Sequence, residues 1–426
     1  MSEQAVKAPD WAGRMEPGHW FRISGDEPDL GLPPTPAGTR YLEDGDPARD
    51  PLLNPPLDVK ERIRRALGRD WIAPWRGRMG FCAITEAWNS AIFATRFGES
   101  GAMVIFGGGH TTYFGSDVHA FDVASRGWNR LTTGFVTGNP EDYGEGAVYE
   151  TSTYPDGSPL PPHTYDYVQY DPAGNDYLLL KGQTELGPRV KATPIPHLFN
   201  LDSLTWRHGP RHPSAILNSG GFTTWDPKRR ILWGHSGDDG GGNAFVGYSP
   251  DDENTDGTTG RWRDFHPNKF PGEANHNAMT YEPMMDKLAV ALHCRDRLEL
   301  IDPDEPARPA SAVASQGERP RIRQFAGLEY SPRLEALVYY SPLDGPTLHS
   351  IALDDSAEWH VVNRNARLDP IADAADRSRH PVNLAHCFGR FRIASFREFD
   401  MAILVRHIDT PVYAMRLPDY RGSLGD

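Results

Sequence analysis

HTYDYVQYDPAGNDYLLLKGQ, residues 163–183, holds a short apolar-alternating segment, an Asp-Pro turn and a second, more apolar segment. Pro after an acidic residue pre-sets a turn, so the stretch reads as a tight hairpin of two short strands. The same arrangement recurs at 89–110 (NSAIFATRFGESGAMVIFGGGH), 218–237 (NSGGFTTWDPKRRILWGHSG), 276–294 (HNAMTYEPMMDKLAVALHC), 323–341 (RQFAGLEYSPRLEALVYYS) and 386–407 (HCFGRFRIASFREFDMAILVRH). Four of the six share an aromatic residue, a D/E/S-P turn and a following apolar run. Several units continue into an outer strand with a late tryptophan, at Trp128, Trp206 and Trp359.

Adjacent unit starts (89, 163, 218, 276, 323 and 386) lie between 47 (276 to 323) and 74 (89 to 163) residues apart. A repeat of that length, built from about four short strands, is the signature of propeller blades. The fold class is therefore all-β, a β-propeller with six countable blades. A seventh is left open in 25–80 or 129–160. The last unit ends with VYAMRL (412–417) and lacks an outer strand, while HWFRIS (19–24) is a strand-like segment with no neighbour of its own. Pairing the two closes the ring and removes an open sheet edge. The chain then divides into 1–80 (closing strand, a Pro/Asp-rich excursion and a short helix at 58–68), the propeller at 81–418 and a tail at 419–426. Asp58 is the expected N-cap of that helix and Gly68 its stop. No other convincing helix is read.

Composition limits the partners. With 44 basic and 58 acidic residues the formal net charge is −14, the opposite of the basic footprint of a duplex binder. An anionic substrate still fits a locally basic cleft. The three cysteines, Cys82, Cys294 and Cys387, are too few and too far apart for a disulfide framework. No apolar run reaches a bilayer-spanning length, and MSEQAVKAPDW has no secretory apolar region. The expectation is a cytoplasmic protein with no nucleic-acid or membrane partner.

In each unit the start of the first strand and the end of the second are hairpin neighbours, so these positions from all blades gather at one mouth of the channel. They read Asn89 and His110; His163, Tyr165 and Lys181; Asn218 and His235; His276, His293 and Cys294; Arg323, Tyr339 and Tyr340; His386, Cys387 and Arg406. Convergent ionisable groups at a concave mouth point to a binding or catalytic site. Hydrogen-bonded polar residues around a water-filled mouth are the alternative.

GGGHTTYFGSDVHAFDVASRGW (107–128) resembles a kelch blade of the galactose-oxidase-like superfamily. YPDGSPLPPHTYDYVQYDP (154–172) resembles the HTY-bearing segment of propeller polysaccharide lyases of the ulvan and rhamnose–glucuronate lyase type. That resemblance implies a carbon–oxygen lyase cleaving a uronate-containing glycan by β-elimination, with His110, Tyr165 and Lys181 as catalytic residues. Such lyases usually have arginine where Lys181 stands, and Arg189 in the following loop is a substitute. Asn89, His163, Arg189, Asn218, His235, Arg323 and Tyr339 are the expected substrate-binding residues, and the expected partner is an anionic carbohydrate. No cofactor is required by this chemistry.

Two other functions stay open. One is a kelch-like binding propeller, which needs an exposed apolar patch instead of an ionisable pocket. The other is a copper radical oxidase, which needs a Tyr–Cys crosslink and two copper-binding histidines; no motif for it is found. His276, Cys294 and His386 also have the N and S donors of a tetrahedral zinc site, against the alternative of buried thiols and hydrogen-bonded imidazoles.

Overall fold

The computed structural model describes residues 6–36, 57–67, 83–85, 88–108, 113, 115–132, 153–154, 156–180, 195–213, 217, 220–237, 244–267, 270, 275–363, 367–377, 387 and 389–419. They form a six-bladed β-propeller of antiparallel sheets. Blade I comprises Ala91–Ala94, Ala102–Ile105, His119–Asp122 and Gly127–Arg130. Blade II comprises Val168–Asp171, Asp176–Leu179, His197–Asn200 and Thr205–His208. Blade III runs from Phe222–Asp226 to Thr259–His266, blade IV from Ala278–Glu282 to Ser311–Ala312, and blade V from Gly327–Ser331 to Glu358–Val361. Blade V gains a short parallel edge strand, Gln316–Gly317. The innermost strand of each blade touches that of the next, and the innermost strand of blade VI, Phe391–Ser395, touches that of blade I. The inner ring therefore closes at six, with no gap for a seventh blade.

Blade VI is built from both ends of the chain. Phe391–Ser395, Asp400–Val405 and Val412–Arg416 supply three strands, and Trp20–Arg22 pairs antiparallel with the third as Trp20 with Met415 and Arg22 with Tyr413. This is the closure expected from HWFRIS and VYAMRL. Two guanidiniums reinforce the seam: Arg390 Nη1 donates to the carbonyls of Thr85 (2.6 Å) and Asn89 (2.9 Å), and Arg392 Nε donates to the Ala91 carbonyl (2.8 Å).

The D/E/S-P signature has a local cause. Asp226 Oδ1 accepts from the amides of Lys228 and Arg229, both at 3.0 Å, and Glu282 accepts from Met284 and Met285 at 3.0 and 2.6 Å. The side chain thus satisfies the turn's amides while proline sets the bend. The last turn residue, Asn175, Arg230, Asp286 or Glu335, is left-handed (φ 54, 53, 56 and 47°), which twists the second strand back onto the first.

Second strands such as KLAVAL (287–292) or EALVYY (335–340) are nearly continuous in apolar residues because each blade is packed on both faces. The core is accordingly a set of wedges between blades, such as Phe222, Trp233, Phe245, Met279 and Leu288 between blades III and IV. Two outer-strand tryptophans lie against the neighbouring strand's aromatics, Trp128 on Phe121 (5.6 Å) and Trp206 on Phe199 (5.0 Å), while Trp359 reaches Tyr339, two strands further in (6.3 Å).

The expected helix is present as Leu57–Leu67, one residue earlier than read, so Asp58 lies in the first turn and does not cap it. A second helix, Pro370–Arg377, was missed. It has only eight residues, too few for a clear period. It is started by Asp369 Oδ1, which accepts from the Ile371 amide at 2.9 Å, and held to blade VI by Tyr413 Oη donating to Asp373 at 2.9 Å. Among the described residues no helix is long and apolar enough to cross a membrane.

Candidate active site

The mouth opposite the proline turns, called the upper mouth below, is organised around the HTY turn. Blade I holds Thr164 with two hydrogen bonds, and a third fixes the Asn89 side chain that makes one of them. Asn89 Nδ2 donates to the Ala83 carbonyl (2.7 Å), Asn89 Oδ1 accepts from the Thr164 amide (2.9 Å), and the Ser90 amide donates to Thr164 Oγ1 (2.8 Å). Each such bond is worth about 1 kcal/mol net, and more when breaking it strands a buried partner. Asn89 therefore has both ends of its amide engaged within the protein and positions the turn.

On either side of Thr164 stand His163 and Tyr165, 2% and 4% exposed. Their rings meet edge to face at 6.1 Å. His163 lies 4.8 Å from Trp88, Tyr165 lies 5.9 Å from His276, and His276 lies 4.5 Å from Phe325. Blades I, II, IV and V thus contribute to one chain of rings. Blade III contributes an absence. A Cβ on Gly220 would stand 2.9 Å from His276 Cε1, so a bare backbone is what lets Tyr165 and His276 meet across it. The NSGG stretch was the available signal for this meeting.

One backbone feature repeats six times. Trp88, Tyr165, Gly220, His276, Phe325 and Gly389 each precede an inner strand by two or three residues, and all have positive φ (75, 47, 75, 57, 64 and 65°). Bulky residues rarely adopt this conformation, and surrounding structure must enforce it. Here a belt of inter-blade bonds does so: Tyr165 N to Trp88 O (2.5 Å), His276 N to Gly220 O (2.7 Å), Phe325 N to His276 O (2.9 Å) and Cys387 N to Phe325 O (2.9 Å). The ring orients Tyr165 and His276 while it joins the blades.

The other expected site residues are distributed differently. His235 is fully buried, stacked on Phe222 (5.0 Å) and beside Phe270 (4.8 Å) in the wedge between blades III and IV. Tyr339 is also fully buried; its hydroxyl accepts from the Arg323 amide at 2.7 Å and anchors residues 321–323. Burial pushes that hydroxyl's pKa well up. Arg323 pairs with Asp344 at 3.3 Å. Strand-end side chains alternate, so half of them enter the inter-blade wedges instead of the mouth. Cys294 is exposed on the short turn His293–Arg295, while His276 is engaged with Tyr165 and Phe325. Among the described residues no three His, Cys, Asp or Glu side chains gather to hold a metal ion. His110, Lys181, Arg189, Asn218 and His386 lie outside the described residues. The Gly108 amide, two residues before His110, donates to the carbonyl of Pro162 at 3.0 Å, next to His163.

Beneath this mouth, inside the channel, lies a charge cluster the sequence reading did not pick out. Arg392 from blade VI bonds Glu329 of blade V through Nη1 and reaches Asp166 of blade II at 3.3 Å through Nη2. Ser90 Oγ donates to Asp166 at 3.2 Å. Charged residues at alternate places in GRFRIA, where an inner strand should be apolar, were the signal. Burial pushes the Asp166 carboxyl up to about 7, against the pull of Arg392 and with help from Glu329. Its folded value thus lies above its unfolded one. The folded state holds the extra proton between about pH 4 and 7, so this group's contribution to stability falls as pH rises through that window. Asp166→Asn removes that dependence. The melting temperature of the variant minus that of wild type should rise from about pH 5 to about pH 8; a difference that stays flat or falls would refute the shift.

No protein-family model matches the chain, and no curated protein is significantly similar to it.

Proposed function

We propose that the protein is a kelch-like propeller enzyme that cleaves a uronate-containing glycan by β-elimination at the upper mouth. The observation that carries this reading is the gathering of Tyr165 between His163 and His276, at 6.1 and 5.9 Å. The reaction takes the proton from the carbon beside the sugar carboxylate. The electron pair forms a carbon–carbon double bond, and the bond from the neighbouring carbon to the glycosidic oxygen breaks. That oxygen then takes a proton. Tyr165 suits the base. A phenol has an unperturbed pKa of about 10 and needs a cation beside it to act as a base, a role open to a protonated flanking imidazole. His110 is assigned the proton for the leaving oxygen, and Lys181 or Arg189 the neutralisation of the carboxylate. Asn89 acts through Thr164 as a positioning residue.

The new double bond is conjugated with the carboxylate and absorbs at about 235 nm, so a panel of uronate polysaccharides and oligosaccharides tests the reading directly. A rise with at least one member, reduced at least about a hundredfold by His163→Ala, is the expected result. A flat trace across the panel from correctly folded protein removes it.

A further inference from the structure

The opposite mouth, on the side of the proline turns, opens into a cavity of about 500 Å³ to which all six inner strands contribute. That is within the range of roughly 300–1,000 Å³ common to small-molecule sites. Its walls include Tyr170, Trp225, Tyr281 and Tyr330, and Glu329 and Arg392 also line it. Two of the tyrosine hydroxyls are turned toward the hairpin loops: Tyr170 Oη donates to Asn175 Oδ1 (2.8 Å) and Tyr281 Oη to Asp286 Oδ1 (2.7 Å). What these side chains offer the cavity is therefore their rings.

The charge of the cavity-lining pair Glu329 and Arg392, together with Asp166 behind it, decides the ligand class. Arg392 is engaged on all three nitrogens: Nε by the Ala91 carbonyl, Nη1 by Glu329, and Nη2 by Asp166 and the Val168 carbonyl (3.4 Å). An incoming anion would find that guanidinium already balanced by two carboxylates. With both carboxylates ionised, which for Asp166 requires a pH above about 7, the cluster of Asp166, Glu329 and Arg392 carries one negative charge more than positive. Glu329 reaches the cavity itself, its side chain 19% exposed there. A carboxylate beneath aromatic walls attracts a cation by charge and by the ring quadrupoles together.

We propose that this cavity binds a small organic ammonium ion, its charge set against Glu329 and its alkyl groups against Tyr170, Tyr281 and Tyr330. The proposal does not depend on the chemistry of the upper mouth, which lies at the other end of the channel.

The test compares choline with its neutral isostere 3,3-dimethyl-1-butanol at about pH 8, where Asp166 is ionised, by calorimetry and by tryptophan fluorescence at fixed ionic strength. Choline should bind at least about tenfold more tightly, the worth of one desolvated cation–aromatic contact. Glu329→Gln keeps an acceptor for Arg392 and should abolish that preference. Thr280→Met leaves every charge in place and fills the cavity, so it should exclude both probes. Equal or tighter binding of the neutral probe overturns the assignment to a cation. Undiminished choline binding in Thr280→Met overturns the location, and no saturable binding of either probe overturns both.

Discussion

Tyr165→Phe should lower the rate of uronate elimination by at least about a thousandfold while leaving the fold intact, as expected when the group that moves a proton is removed. The substitution deletes one oxygen. The ring still fills the space between His163 and His276, and the left-handed backbone (φ 47°) is held by the Tyr165 amide on the Trp88 carbonyl, which the change does not touch. A loss confined to kcat, with KM and the circular dichroism spectrum near wild type, identifies the hydroxyl as a chemical participant. A rate within tenfold of wild type would end its assignment as base. A pH–rate profile separates the roles further, because a catalytic phenol gives an ascending limb that a purely structural one does not.

Trp20→Ala should destabilise the protein by about 3–5 kcal/mol, the usual cost of emptying a large buried aromatic site. Trp20 is 2% exposed on the three-residue strand that closes blade VI. Its ring lies 5.7 Å from Tyr340, and its indole N–H donates to the Pro346 carbonyl at 2.9 Å. The closing strand comes from the opposite end of the chain, so no covalent link keeps it in place. Packing by this side chain and pairing with Val412–Arg416 do that work. The urea midpoint should fall markedly, and susceptibility to proteolysis near residues 19–24 should rise. Trp20→Phe keeps most of the packing and should lose only about a third as much. A Trp20→Ala variant within about 1 kcal/mol of wild type would mean that the arginine contacts across the blade VI–blade I seam hold the ring without this strand.

Both expectations rest on features that differ in how far they were readable. The hairpins were legible because each is local: two short apolar strands, a proline, and an acidic side chain that bonds its own turn. Even the closure was legible, since a strand without a sequence neighbour and a blade without an edge imply each other. Tyr165 was singled out by its place before an inner strand and by resemblance. Its partner His276 was read as a metal ligand, because sequence spacing carries no information about which ring faces which across Gly220.

The amino-acid sequence by itself determined the repeat and the joining of the two ends, since these depend on local hairpins and on leftover strands; that the ring closes at six, with no seventh blade, was decided by the contacts between inner strands. Only the tertiary structure decided the conformation of Trp88, Tyr165, His276 and Phe325. Left-handed residues are announced in sequence by Gly or Asn, and these four are aromatic or imidazole side chains held there by hydrogen bonds from other blades. The structure alone likewise separated Tyr165, in the ring of the mouth, from His235 and Tyr339, in the wedges. It also brought Asp166, Glu329 and Arg392 together from three blades. Such contacts span up to 226 residues of chain, and only closing the ring makes them neighbours.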